Sequence, residues 1–527
     1  MGGGADIPGV CPDNFSLGMT LVEKMADQEK IFDIVVVGGG INGTGIARDA
    51  AGRGLSVLLC EQDDLGRYTS SSSTKLIHGG LRYLEHYDFK LVRHSLQERE
   101  VLLKSAPHII WPLRFILPHH RLLRPRWMIR LGLFLYDHLG KRKMLAASTA
   151  VNLRTHVSGK ALKKEFRHGF EYSDCWVQDA RIVILNALDA SSHGATIAPR
   201  TKCVSLQRNE DSWTVTLASQ PDDERRTVRA RCIVNAAGPW VEQVAGLDEQ
   251  TQTAHGVRLV KGSHIVVPAL FDHPYAYIFQ NSDGRILFAI PYEKDYTLLG
   301  TTDVEIESDP AAATISKEEI DYICESASQY FAAPVKPDDV VFSYAGVRPL
   351  FDDAKENASE ATRDYVLHMN DQGPPVVSVY GGKLTTYRKL SEQVVNMLCE
   401  SLSSNNGPWT SGSVLPGGNI ADYDYEAFQR ACLATYPWCD PGVVKLLARN
   451  YGTRITRILD DLNSMEQMGV HFGANLYQVE VEYLVREEWA LSVDDIIYRR
   501  TRAGLHGGQQ LREKLDNWLH RNAEEHR

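Results

Sequence analysis

The run IVVVGGGINGTGIARDAAGRGLSVLLCE, Ile34 to Glu61, admits few folds. Ile34–Val37 is an apolar, β-branched stretch too short for a helix and suited to a strand buried on both faces. Gly38, Gly40 and Gly43 follow at the spacing of a dinucleotide-binding turn. There a Cβ would obstruct the tight turn, the approach of a pyrophosphate, or close helix–strand packing. Ile41, Ile46, Ala47, Ala50 and Ala51 then give a helix with a small apolar face. Its N-terminus presents free N–H groups and the positive dipole end to phosphates. Gly52 and Gly54 stop this helix, Val57–Leu59 begins a second strand, and Glu61 stands where a carboxylate accepts hydrogen bonds from a ribose 2′-OH. An acid here, rather than an arginine, disfavours a 2′-phosphate. FAD and NAD both remain open on this unit alone.

At 527 residues the chain has room for two or three domains. A net charge of −10 argues against general nucleic-acid affinity, which needs an excess of Lys and Arg. The nine cysteines are scattered, with no CxxC pair and no metal-ligand spacing, and read as reduced thiols. No apolar run reaches the length of a membrane span. Residues 1–30 lack a basic start followed by an apolar block and read as a flexible tail. The compartment expected is the cytoplasm. The oligomeric state stays open, a homodimer included.

Past Glu61, a serine-rich loop leads into Lys75, His78, Gly79, Gly80, Arg82 and Tyr83, followed by a helix that Pro107 ends. Such a loop suits a polyphosphate or isoalloxazine edge, although a plain flexible loop has the same composition. Residues 111–143 are the one strongly basic region, with eight Lys or Arg and a single acid, Asp137, between Arg114 and Lys143. Trp127, Met128, Leu131, Phe134 and Leu135 interleave with Arg126 and Arg130, the pattern of a segment lying on an anionic membrane. A buried helix with paired arginines fits the same residues. From Lys202 to Trp240 short alternating strands end in NAAGPW. KGSHIVVP, YAYIF, RILFAIP and YTLLGTTD then read as an antiparallel meander with a hairpin at Asp283–Gly284. VVSVYGGKLTTYRKL repeats the opening logic of strand, glycines and helix. Beyond Gly418 helical periodicity dominates.

Together, VVVGGGINGTGIARDAAGRGLSV, TSSSSTKLIHGGLRYLE, NAAGPWV, KGSHIVVP, GTTDVE, GVRPL and GGKLTTYRKL resemble the FAD-dependent glycerol-3-phosphate dehydrogenases, the respiratory rather than the NAD-linked kind. The likeness runs in order from about residue 31 to about residue 520, and only the front tail departs from it. It implies an α/β fold: a two-dinucleotide-binding, Rossmann-like FAD domain over residues 31–400, and a C-terminal α-helical domain over 401–527. The first carries an antiparallel β substrate domain at about 255–340 and the basic membrane-facing segment at 111–143.

The resemblance also implies oxidation of sn-glycerol 3-phosphate to dihydroxyacetone phosphate, with electrons passed to a membrane quinone at the inner face of the cell membrane. Carried onto this chain, the catalytic residues are His78, with His264 as the alternative base, and Arg348. Arg82, Tyr83, Lys383 and Thr301 hold the substrate. Gly38, Gly40, Asn42, Gly43, Glu61, Ser71, Ser72, Lys75, Gly79, Gly238, Gly382, Leu384 and Thr385 hold FAD; no metal is implied. Arg348, next to Pro349, could equally pair with a carboxylate. Rival activities are a soluble glycerophosphate oxidase using O₂, a flavin amine oxidase, and a non-catalytic flavin scaffold.

Overall fold

The β-branched run before the first glycines becomes the middle of a parallel sheet. In the computed structural model, residues 31–86, 88–121, 123–140, 142–248, 256–352 and 364–525 are described; the expected tail, 1–30, lies outside them. Strand Ile31–Val37 pairs in parallel with Val57–Cys60 on one side and Arg225–Asn235 on the other. Thr196–Ala198 and Val376–Tyr380 extend the parallel order at either end, and Val366–Asn370 closes one edge antiparallel. Val35 and Val36 are fully buried, as a strand covered on both faces requires. Helix Ile41–Gly52 packs between helices Asp179–Ser192 and Tyr387–Leu402 on this sheet.

The second sheet is antiparallel over most of its width. The Asp283–Gly284 turn joins strands Ala276–Gln280 and Ile286–Tyr292, as its sequence predicts. Strand Val257–Pro268 pairs with Phe342–Phe351, which sets Val260 opposite Arg348, Gly262 opposite Gly346 and His264 opposite Tyr344. This register places the residues expected at the substrate on adjoining strands.

The sheet is not confined to residues 255–340. Strand Ile110–His119 runs between Ala276–Gln280 and His168–Val177, so part of the basic 111–143 segment is sheet interior. Phe115, Ile116 and Leu117 are buried there, and Arg114 pairs with Glu171 at 2.5 Å. Burial of apolar side chains outweighs the local charge. The surface part of the segment is helix Arg126–Leu139, which buries Leu133, Tyr136 and Asp137 and leaves Trp127, Leu131 and Phe134 exposed.

The C-terminal helices Tyr425–Thr435, Pro441–Tyr451, Gln478–Glu488 and Gly504–Glu525 enclose their own core around Val444, Leu447 and Leu484. Buried ion pairs fasten this unit to the nucleotide domain. Asp64, three residues past Glu61, is held by Arg499 at 2.5 Å and by Arg500 at 2.7 Å, and Arg181 pairs with Glu488.

Candidate active site

The parallel strands end at a cleft lined by Gly38, Gly40, Asn42, Glu61, Gly238 and Gly382. Gly43 lies just behind it: a Cβ there would run into the Gly38 carbonyl oxygen, so helix and turn could not approach. Glu61 accepts hydrogen bonds from the Gly39 N–H at 2.7 Å and the Asp63 N–H at 2.9 Å. Burial nonetheless raises its pKa to about 7. Asn42 Nδ2 donates to the Gly381 carbonyl at 3.1 Å, tying the two glycine turns together. Its Oδ1 is buried without a partner among the described residues. A helix N-terminus, a buried carboxylate and glycine walls free of Cβ atoms fit the pyrophosphate and ribose of a dinucleotide.

The serine loop contributes different residues from those expected. Ser70 Oγ accepts the Ile41 N–H at 3.0 Å, and Thr69 and Ser70 line the cleft. Ser71, Ser72 and Lys75 do not line it. Ser71 Oγ turns back to the Arg67 carbonyl at 3.1 Å, and Ser72 packs toward Gly346. Lys75 Nζ pairs with Asp179 at 2.8 Å, out of solvent. Asp179, at the start of a buried helix, needs a cation, and the sequence around Lys75 gives no hint of that distant partner. Gly79 also lies away from the cleft: its N–H donates to Tyr136 Oη at 2.8 Å, and a Cβ would strike Leu96.

The expected substrate residues form two groups, and Arg348 and Lys383, one in each, directly precede or follow Pro349 and Gly382 of the cleft lining. In the first, the His78 N–H donates to Thr385 Oγ1 at 3.2 Å, and Lys383 Nζ lies 4.1 Å from the centre of the Tyr83 ring. Lys383 Nζ is buried and has no hydrogen-bond partner among the described residues. Burial lowers the His78 pKa; Asp174 opposes this, while Lys383 and Arg99 add to it. Leu384 packs against the nucleotide-domain core. Arg82 lies on the turn Leu81–His86, but its side chain falls outside the described residues.

In the second group, Arg348 pairs with Asp303 and donates to Thr301 Oγ1 at 3.0 Å. His264 Nε2 is 2.9 Å from Thr74 Oγ1, and its ring stacks on Tyr344 with centroids 4.9 Å apart. Its Nδ1 is buried without a partner among the described residues. Burial, then Arg348 and Lys75, hold its pKa well below the usual histidine value, so the ring is neutral.

Residues 33–388 match the family described as FAD dependent oxidoreductase, and residues 409–526 match the C-terminal domain of alpha-glycerophosphate oxidase. A glycerol-3-phosphate dehydrogenase of Pseudomonas aeruginosa is 50% identical, over 93% of this chain and 95% of its own. The chain belongs to the FAD-dependent glycerol-3-phosphate dehydrogenases. A D-erythritol 1-phosphate dehydrogenase of Brucella abortus is 48% identical, over 94% of this chain and 99% of its own. Among solved structures, the glycerol-3-phosphate dehydrogenase of Bacillus halodurans complexed with FAD superposes with a TM-score of 0.76. It is 28% identical and covers 95% of this chain and 92% of its own.

The cofactor of this dehydrogenase is FAD, and the glycine-walled cleft from Glu61 to Gly382 fits a dinucleotide. Residue-by-residue reading of the sequence passed over Asp303 and Thr74, although both stand inside motifs that carried the resemblance. It also passed over Asp174 and Tyr136, which buttress Gly79 from 57 or more residues away.

Proposed function

We propose that this dehydrogenase oxidises C2 of sn-glycerol 3-phosphate to give dihydroxyacetone phosphate and passes the electrons to a membrane quinone. The observation that carries the reading is Lys383 Nζ, a buried ammonium with no hydrogen-bonding anion among the described residues, next in sequence to the glycines that end the cofactor cleft. A phosphate dianion supplies the missing partner. The relative named for D-erythritol 1-phosphate supports the same reaction class, oxidation of a secondary alcohol in a polyol phosphate.

FAD, when bound, supplies the acceptor for the hydride that leaves C2. The protein's residues do the rest. Lys383 and Tyr83 hold the phosphate end, with Arg82 on the same turn. Arg348, steadied by Asp303 and Thr301, holds the C2 oxygen and stabilises negative charge as the hydroxyl loses its proton. We assign the base to His264 in preference to His78. Its ring is neutral, its Nδ1 is unpartnered, and Thr74 and Tyr344 fix its orientation.

Helix Arg126–Leu139 supports the membrane acceptor over O₂. Trp127, Leu131 and Phe134 are 67%, 52% and 51% exposed, and Arg121, Arg124, Arg126 and Arg130 stand exposed around them. An apolar stripe in a basic surround seats on anionic headgroups. No described helix is long and apolar enough to cross a membrane, so the attachment proposed is peripheral, at the inner face.

Anaerobic titration of the yellow enzyme with glycerol 3-phosphate tests the reaction. Stoichiometric bleaching of the flavin is expected, slowed by roughly 10²–10⁴-fold in His264→Gln without a matching rise in KM. An unbleached flavin sinks the reading. Hydrogen peroxide formation in preference to reduction of a quinone analogue would convert it to an oxidase.

A further inference from the structure

The turn that leads to Tyr83 is clamped from behind by a residue of the surface helix. Trp127, Leu131 and Phe134 mark the exposed side of helix Arg126–Leu139, and Tyr136 lies on its buried side, 2% exposed. Tyr136 Oη donates to Asp174, 2.7 Å from Oδ1 and 2.9 Å from Oδ2, and accepts the Gly79 N–H at 2.8 Å. A phenol oxygen does both at once only while it keeps its proton. Burial, then the Asp174 charge, push its pKa well above the usual tyrosine value, so the proton stays. Asp174 is buried in turn, on strand His168–Val177, and Arg99 of helix Phe89–Ser105 neutralises it at 2.5 Å. Arg99 also donates to the Ser173 carbonyl at 2.8 Å. From Gly79 the contacts run on to the phosphate end. A Cβ on Gly79 would strike Leu96 and crowd the Tyr136 ring, and one on Gly80 would run into the Tyr83 ring. The two glycines are thus pressed between the two tyrosines. Gly80 takes a left-handed φ of +71°, and its carbonyl accepts the Tyr83 N–H at 2.9 Å. Lys383 Nζ stands 4.1 Å from the centre of that ring.

We propose that Tyr136, backed by Asp174 and Arg99, is a positioning residue for the substrate: its hydroxyl sets the Gly79–Gly80 turn so that the Tyr83 ring and Lys383 together meet the phosphate. The inference rests on the glycerol 3-phosphate reading above, in which Tyr83 and Lys383 hold that phosphate. Tyr136 lies behind the turn and acts through it. Two successive glycines have the widest backbone freedom a chain offers, so this turn needs an outside hold to present one geometry. Packing and hydrogen bonds from the neighbouring shell supply such a hold. Without it, a docking phosphate has to select among arrangements of the turn, and that cost falls on binding. The hydride-transfer step is spared, because the base and the C2 clamp are fastened elsewhere. Thr74 and Tyr344 fix His264, and Asp303 and Thr301 fix Arg348.

The test uses the FAD-loaded full chain. Tyr136→Phe keeps the ring against Gly79 and removes the hydroxyl, which leaves the Gly79 N–H only the Asp174 oxygen 3.4 Å away. Asp174→Asn keeps an acceptor in place and removes the charge. Kinetics with a quinone analogue give kcat and KM for glycerol 3-phosphate, and inorganic phosphate as a competitive inhibitor reads the phosphate end by itself. Tyr136→Phe should raise KM and the phosphate inhibition constant together by about tenfold, with kcat within about twofold and flavin content unchanged. Asp174→Asn should move both constants in the same direction. Leu133→Ala, buried in the same core on the same helix, controls for stability alone. It should lower the thermal midpoint and leave both constants within about twofold. Native KM and phosphate inhibition in either polar variant overturn the inference. So does Leu133→Ala if it raises both constants as far as Tyr136→Phe. An unmodified enzyme that neither oxidises glycerol 3-phosphate nor is inhibited by phosphate removes the underlying reading instead.

Discussion

Lys383 Nζ lies 4.1 Å from the centre of the Tyr83 ring, and no described residue accepts a hydrogen bond from it. A desolvated cation–π contact contributes about 2 kcal/mol, whereas burying an ammonium costs several kcal/mol. The contact alone does not offset the burial. A phosphate docked against Lys383 would pair directly with this ammonium, a charge-assisted contact on which binding energy concentrates.

Replacing this lysine separates binding from stability. Lys383→Met should raise the KM for glycerol 3-phosphate by about 10–100-fold, the loss of roughly 1.5–3 kcal/mol of charged hydrogen bonding. The thermal midpoint should hold or rise, because a buried unpaired charge is removed. Steady-state kinetics beside calorimetry check this, and a lower midpoint with an unchanged KM would place Lys383 in the scaffold.

Gly43→Ala should yield protein with little or no bound flavin. The new Cβ meets the Gly38 carbonyl oxygen, a backbone atom that cannot move without opening the turn. Flavin absorbance per mole of purified protein is the measurement, and full occupancy would refute the packing argument.

His108 should govern part of the acid sensitivity. Its ring is fully buried against Gly417 and Gly452, and both nitrogens lack partners among the described residues. Burial, then Arg181 and Arg449, lower its pKa to about 3. A depressed histidine contributes stability that is intact above its unfolded value of about 6.5 and is lost as pH falls toward 3. At pH 5 the loss is about 2 kcal/mol. Unfolding curves of the native chain and His108→Leu should thus diverge between pH 7.5 and 5, the variant losing less. Parallel curves would dismiss the effect.

Trp127→Ser combined with Phe134→Ser should weaken sedimentation with anionic vesicles by more than tenfold, since each large apolar side chain contributes about 1.5–3 kcal/mol on burial. Both residues are exposed, so the thermal midpoint should not change. Undiminished sedimentation would mean that another surface meets the membrane.

Local chemistry made much of this legible before folding. The first glycine turn, the Asp283–Gly284 hairpin and the C-terminal helices follow from short-range backbone preferences, which a single chain displays openly. The Lys75–Asp179 pair is not legible in the sequence, because Asp179 comes from a helix 104 residues on and no local signal links the two. In the basic segment the sequence hides the division between a buried strand, Ile110–His119, and a surface helix, Arg126–Leu139. The segment's charge was conspicuous, while the β-sheet neighbours that bury Phe115 and Ile116 come from residues 168–177 and 276–280. At Arg348 the sequence allows a carboxylate partner or a substrate role; the guanidinium pairs with Asp303, a pairing that steadies it for the role proposed above.

Asp64 meets Arg499 and Arg500 across 435 and 436 residues of chain. On the ribosome, the loop beyond Glu61 emerges long before the cations that neutralise it have been translated. Until they arrive, that carboxylate must stay hydrated, since burying it unpaired costs several kcal/mol. The anchoring of that loop thus becomes an event of the completed polypeptide, and a product cut short by thirty residues would lack both of its cations.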